Sequence, residues 1–63
     1  MEYIYEAISD GSDPNTASTR IAEYDESIEC EVTESEGHLN IDLTSGSIIT
    51  VDGAMASLGY RRV

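Results

Sequence analysis

The feature that most constrains the fold is an alternation of apolar and polar residues on both sides of a short glycine-containing segment. In SIECEVT, residues 27–33, every second residue is apolar, and HLNIDL, residues 38–43, repeats this pattern. A period of two is typical of β-strands that bury one face. We therefore predict a hairpin whose loop is ESEG, residues 34–37, and in which Val32 lies opposite Leu39.

The predicted register brings acidic side chains opposite one another on the outer face of the hairpin. Glu29 lies opposite Asp42, and Glu31 lies opposite Asn40. Like charges that face each other across an antiparallel pair destabilise it by a few tenths of a kcal/mol to about 1 kcal/mol. A small domain that accepts this cost is expected to use the acidic face for something other than stability.

The N-terminal half is predicted to contain two further strands. Residues 2–8, EYIYEAI, are rich in aromatic and β-branched residues and favour a strand. Residues 9–17, SDGSDPNTA, concentrate residues that favour turns, and we expect a flexible loop there. Residues 18–25, STRIAEYD, fit a short helix or a strand, and the strand is favoured.

The C-terminal third is predicted to contain a strand, a short helix and an edge strand. SIITV, residues 47–51, is interpreted as a strand that directs Ile48 to the acidic face. Asp52 is expected to cap a short helix that ends at Gly59. YRRV, residues 60–63, then returns as an edge strand.

Together these elements predict the fold class and the domain organisation. Residues 1–63 form a single acidic domain of the α+β class, with a flexible loop at about 9–17. Its architecture is a small antiparallel β-meander of four to five strands with one short C-terminal helix.

The charge of the chain predicts the kind of partner. Thirteen Asp and Glu residues are accompanied by three Lys and Arg residues, and the formal net charge is -10. Nucleic acids and anionic membranes repel such a chain, so we expect no direct binding to either and expect a basic, nucleic-acid-binding protein as partner. The sequence contains no apolar run of membrane-spanning length and no signal-peptide pattern, so the expected location is the cytoplasm, or the host cytoplasm for a viral protein.

Residues that could support catalysis or bind a metal are few. Cys30 is predicted to point inward and His38 outward, which separates the one thiol from the one imidazole. DGSDPN, residues 10–15, offers oxygen ligands for calcium but lacks the spacing and the closing Glu of an EF-hand loop. We therefore predict no enzymatic activity, no cofactor and no metal site.

The acidic residues cluster around the hairpin. On a strand, successive outward side chains lie about 6.7 Å apart, and neighbouring strands lie about 4.8 Å apart, a spacing comparable to that of phosphates in nucleic acid. We predict a partner-binding surface made of these acidic residues and one outward apolar anchor: Glu23, Asp25, Glu26, Glu29, Glu31, Glu34, Glu36, Asp42 and Ile48.

In size and acidity the chain is similar to small phage-encoded inhibitors of host nucleic-acid enzymes, a class that includes anti-restriction and anti-CRISPR proteins. The resemblance is one of composition and not of motif. It implies a non-catalytic inhibitor that occupies the basic nucleic-acid-binding surface of a partner protein.

Two alternatives remain open from the sequence. The chain could be a small halophilic domain or accessory subunit whose acidic surface serves solubility in high salt, where charge repulsion is screened. It could also form a homodimer through exposed sheet edges at residues 3–5 or 60–63.

Overall fold

The computed structural model describes residues 1–8 and 13–63, which form one antiparallel sheet of four strands and two helices. The predicted α+β class is confirmed, but this part of the chain has two helices where the sequence predicted one. In chain order the elements are β1 (Glu2–Ala7), α1 (Pro14–Tyr24), β2 (Glu29–Ser35), β3 (His38–Ser45), α2 (Ile48–Ser57) and β4 (Tyr60–Arg62).

The strand order in the sheet is β2-β3-β1-β4. Helices, and not turns, join β1 to β2 and β3 to β4, so the predicted meander is confined to the β2–β3 hairpin. This connectivity is the split β-α-β arrangement that occurs in ferredoxin-like folds, a fold class that by itself implies no function. Because β1 lies between β3 and β4, residues 3–5 are not an exposed edge, contrary to the prediction.

The core lies between one face of the sheet and the two helices. Alternate residues of the strands point into it, because successive strand side chains leave opposite faces of a sheet. Burying these apolar side chains is the main favourable contribution to folding. The buried residues are Tyr5, Ala17, Ile21, Leu39, Ile41, Leu43, Val51, Ala54, Met55 and Tyr60.

Helix α1 replaces part of the predicted loop and all but the last residue of the strand predicted at 18–25. Its N-terminus is set by Asp13, whose carboxylate accepts a hydrogen bond of 2.7 Å from the backbone N–H of Thr16. Pro14 follows at the first helical position, where its missing N–H has no cost. The cap favours the helix. So does the spacing of its buried residues, Ala17 and Ile21, which the strand interpretation overlooked. Residues 9–12 of the predicted loop lie outside the described residues.

Helix α2 replaces the strand predicted at 47–51, which was wrong. Several β-branched residues favour a strand there locally, but the buried residues Val51, Ala54 and Met55 have the spacing of a helical stripe. A strand that directs Ile48 to the acidic face would direct the next residue, Ile49, to the core, but Ile49 is 78% exposed. Burial over the length of the segment therefore outweighs the local preference.

The β2–β3 hairpin has a two-residue turn in place of the predicted four-residue loop. Glu36 and Gly37 both have positive φ angles, 54° and 80°, as in a type I′ turn. This turn matches the twist of the strands and extends their pairing toward the turn. Val32 consequently pairs with Ile41 and not with Leu39, a shift of two residues that leaves each side chain on its predicted face.

Candidate acidic interface

The sheet face opposite the helices is the largest uncovered surface that the strands create. Its side chains alternate with those of the core, so their positions follow from the strand register. We call this surface the open face, and define it by Glu31, Thr33 and Ser35 of β2, His38, Asn40 and Asp42 of β3, Glu2, Ile4 and Glu6 of β1, Arg61 of β4 and the adjoining Val63.

Carboxylates cross one end of the open face in a single row. Glu31 pairs with Asp42 across β2 and β3, and Asp42 pairs with Glu2 across β3 and β1. All of them are exposed, and neighbouring strands lie about 4.8 Å apart. We call Glu2, Asp42 and Glu31 the acidic row.

Two acidic residues do lie opposite each other on the hairpin, as predicted, but the residue opposite Asp42 is Glu31 and not Glu29. Asp42 lies opposite Glu31, whereas Glu29 lies opposite Ser45 beside an irregularity in the pairing. The Met1 amino group donates a hydrogen bond of 3.2 Å to Asp42 Oδ1. The shorter turn accounts for the change, because it shifts β2 by two residues along β3.

The other end of the open face contains a shallow depression of about 330 Å³. Ile4 is 47% exposed there and Val63 is 76% exposed. Glu6 accepts a hydrogen bond of 2.6 Å from Arg61 Nε at the border of the depression. The lining residues are Ile4, Glu6, Ser35, Glu36, His38, Asn40 and Val63.

Part of the predicted surface lies on the helical side of the sheet. Glu23 belongs to α1 and forms an ion pair of 3.1 Å with Arg20. Asp25 and Glu26 follow in the turn after the helix, where the Asp25 carboxylate accepts hydrogen bonds from the hydroxyl and the backbone N–H of Ser27. These hydrogen bonds lower the pKa of Asp25 below its ordinary value. The structure does not bring this group together with the acidic row.

The remaining predicted residues occupy different parts of the hairpin and of α2. Glu34 shares its face with Val32, on the helical side of β2, and Glu36 lies in the turn. Ile48 packs half-buried against the core as part of α2. Its predicted role as an outward anchor is therefore wrong, because the strand that would have directed it to the acidic face is a helix.

Sequence reasoning missed the contribution of β1 to the open face. Glu2, Ile4 and Glu6 reach it because β1 pairs with β3, a contact between distant parts of the chain. The alternation in EYIYEA indicates that these three residues share a face. The alternation does not show which strand pairs with β1.

The arginines are all engaged within the molecule. Arg20 pairs with Glu23, Arg61 with Glu6, and Arg62 Nη2 lies 3.2 Å from Asp52 Oδ2. Much of the negative charge is left without such a partner. Within residues 1–8 and 13–63, the acidic side chains that form no hydrogen bond or ion pair are Glu2, Glu26, Glu29, Glu31, Glu34 and Glu36.

The thiol and the imidazole lie on opposite sides of the sheet. Cys30 packs half-buried against the core, and burial raises the pKa of its thiol, which disfavours the nucleophilic thiolate. His38 lies on the open face, where its Nδ1 is 3.2 Å from the Glu36 carbonyl oxygen. In the described part of the chain, no group of three or more His, Cys, Asp or Glu side chains is arranged to hold a metal ion.

Comparisons with known protein families, curated proteins and solved structures find no match to this chain. Neither α1 nor α2 combines the length and the apolar character that crossing a membrane requires. The geometry and the charge of the open face are therefore the features that bear on function.

Proposed function

We propose that this protein is a non-catalytic acidic inhibitor that occupies the basic nucleic-acid-binding surface of a partner protein. In this role it imitates nucleic acid, as proteins of the anti-restriction or anti-CRISPR type do, and acts in the cytoplasm, or in the host cytoplasm if it is viral. The observation that carries the proposal is the acidic row, in which Glu2, Asp42 and Glu31 lie side by side on adjacent strands.

The spacing of the acidic row supports the proposed imitation of nucleic acid. Backbone hydrogen bonds hold neighbouring strands about 4.8 Å apart, so the Cα atoms that carry the acidic side chains keep a regular separation. The backbone beneath the charges is already ordered, so binding has to order only the side chains, which favours affinity. The acidic row presents a basic groove with regularly placed negative charges, as a phosphate backbone does.

The energetic cost of the acidic row also supports binding to a basic partner. Like charges opposite one another destabilise an antiparallel pair by about 0.2–1 kcal/mol. The Met1 ammonium, 3.2 Å from Asp42 Oδ1, offsets part of this repulsion, and a basic partner would relieve the rest. The net charge of -10 would also attract such a partner over a distance and raise the association rate.

The proposal is tested by competition with labelled nucleic acid. Fluorescence anisotropy reports whether the protein displaces labelled duplex DNA or guide RNA from a panel of basic proteins that includes restriction endonucleases and RNA-guided nucleases. We expect displacement from at least one of them, and a loss of about tenfold or more in potency for the double variant E2Q/E31Q. Displacement from none of the panel would contradict the proposal.

A matched control removes the same charge elsewhere. Glu26 and Glu34, like Glu2 and Glu31, are exposed and form no hydrogen bond or ion pair with the described residues, but they lie outside the open face. E26Q/E34Q should retain most of the potency. An equal loss for both double variants would mean that net charge, and not the acidic row, determines binding.

A second candidate function is solubility in concentrated salt, as in a halophilic domain or accessory subunit. The exposed carboxylates without internal partners favour it, because such groups hold water and counterions. Homodimerisation through sheet edges would involve β2 and β4. The charged residues of β2 oppose pairing between copies at that edge.

A further inference from the structure

We propose that the depression on the open face receives an arginine side chain of the basic partner. The inference rests on the proposed function and names the chemical group that the same face recognises. Arginine combines an apolar stem with a planar cationic head, and the depression combines an apolar floor with a border of carboxylates.

The apolar floor is formed by Ile4 and Val63. The Val63 backbone N–H donates to the Ile4 carbonyl oxygen at 2.9 Å, and Asn40 pairs with Ile4 on the other side. Asn40, Ile4 and Val63 therefore form a row across β3, β1 and the end of the chain after β4. An isoleucine and a valine exposed among acidic and polar neighbours provide contact area for the methylenes of a long side chain.

The border of the depression supplies acceptors for the guanidinium. Glu6 uses its Oε1 atom for Arg61, and no donor among residues 1–8 and 13–63 forms a hydrogen bond with its Oε2 atom. Glu36 forms no ion pair with any described residue, and Asn40 contributes an amide oxygen. A guanidinium presents several N–H donors in a plane and can reach acceptors on different sides, whereas an ammonium is compact and more strongly hydrated.

The depression lies close enough to the acidic row for one basic surface to contact both. Along β3, Asp42 belongs to the row, whereas Asn40 and His38 line the depression. Residues two and four positions apart on a strand are separated by about 7 Å and about 13 Å. In this arrangement the acidic row steers the partner, and Ile4 provides the apolar contact that concentrates binding energy. Ile4 thus takes the anchoring role that the sequence had assigned to Ile48.

The test uses two short synthetic peptides, one in which arginine alternates with serine and one in which lysine replaces each arginine. Each is titrated into the isotopically labelled protein and followed by NMR. We expect the arginine peptide to bind several-fold more tightly and to shift the signals of Ile4, His38 and Asn40. Equal affinities for the two peptides would overturn the inference.

The variant I4A separates the apolar contact from charge. We expect it to weaken binding of the arginine peptide about fivefold, while the slope of log Kd against log salt stays unchanged because no charge is removed. I49A is the matched control, since Ile49 is 78% exposed on α2, outside the open face. I49A should bind as the unmodified protein does. An I4A variant with unchanged affinity would contradict the inference.

The outcomes distinguish this inference from the proposed function. If E2Q/E31Q weakens displacement of nucleic acid while I4A leaves arginine-peptide binding unchanged, the proposed function stands and the arginine site does not. If I4A fails to fold, E36Q provides the second test, because Glu36 lies in an exposed turn and forms no ion pair within the part of the chain that the structure describes. E36Q should reduce the preference for arginine over lysine, and an unchanged preference would overturn the inference.

Discussion

Tyr5 links β1 to α2 and, through Asp52, to β4. Its side chain is fully buried, and its hydroxyl donates a hydrogen bond of 2.6 Å to Asp52 Oδ1. Asp52 Oδ2 pairs in turn with Arg62, whose guanidinium carbon lies 5.3 Å from the centre of the Tyr3 ring. Asp52, which the sequence predicted to be a helix cap, lies within α2. It is the shared acceptor of a small polar network that joins α2 to β1 and β4.

Replacing Tyr5 with Phe should destabilise the protein. The substitution removes the hydrogen bond to a charged acceptor but keeps the ring in the core, so we expect the free energy of unfolding to fall by about 1–2 kcal/mol. Urea denaturation followed by circular dichroism measures the change. Y24F is the control, because Tyr24 is half-exposed and should contribute little through its hydroxyl. Equal stabilities for Y5F and Y24F would contradict this role of Tyr5.

The same tyrosine should produce a loss of stability in alkali. Burial raises the pKa of Tyr5 above its ordinary value of 10.0, and the hydrogen bond and negative charge of Asp52 raise it further. Because the folded state holds this proton more tightly than the unfolded state, the contribution is fully present below about pH 10 and is lost as the pH rises above that value. Y5F should therefore lose less stability than the unmodified protein between neutral and strongly alkaline pH.

At the scale of elements, the N-terminus of α1 depends on Asp13. Its carboxylate caps the helix through the Thr16 backbone N–H, and this hydrogen bond lowers the pKa of Asp13. We expect D13A to lower the thermal midpoint and D13S to retain most of it, because a serine hydroxyl can accept the same hydrogen bond. Thermal melting of both variants at neutral pH tests the cap, and equal midpoints for them would argue against it.

Acid should weaken the same cap. A carboxylate whose pKa is lowered in the folded state stabilises it above the unfolded pKa, and this contribution is lost as the pH falls through the folded value. The difference between the unmodified protein and D13A should therefore shrink below the ordinary pKa of 3.8. D13S should show no such change, since serine does not titrate in this range.

The elements differ in how much of them could be predicted from local sequence. The hairpin strands, β1 and β4 follow from alternation and from strand-favouring residues, and all were predicted. Helix α2 was misread at its start, where β-branched residues mimic a strand. Helix α1 was missed over its whole length, because its N-terminal part after the cap at Asp13 was taken as loop and the rest was favoured as a strand. In each case packing of a helical stripe on the core decides, and this packing is absent from any short window of sequence.

For the whole molecule, net charge sets the response to salt. The radius of gyration is 10.1 Å, whereas the Debye length is about 30 Å at 0.01 M salt and about 3 Å at 1 M. In dilute buffer every pair of charges therefore interacts, and the excess of acids destabilises the compact state. We expect the protein to be folded in dilute buffer, with a thermal midpoint that rises as potassium chloride is added.

Circular dichroism across a series from millimolar to molar salt makes this measurement. E31Q removes one member of the acidic row and should raise the midpoint in dilute buffer more than at molar salt, because salt already screens the repulsion that the substitution relieves. A chain that folds only near molar salt would favour the solubility function over the inhibitor.

The candidate site depends both on the local sequence of each strand and on contacts between strands that are far apart in the chain. Strand alternation by itself determined which residues of the hairpin share a face, and the excess of Asp and Glu determined the negative net charge on which the proposal of a basic partner rests. Only the tertiary structure decided that Glu2 joins Asp42 and Glu31, that Ile4 lies beside Val63, and that Glu23 and Glu26 lie elsewhere. The physical reason is that side-chain direction is a property of the local backbone, whereas the neighbours of a strand are chosen by the packing of the whole core.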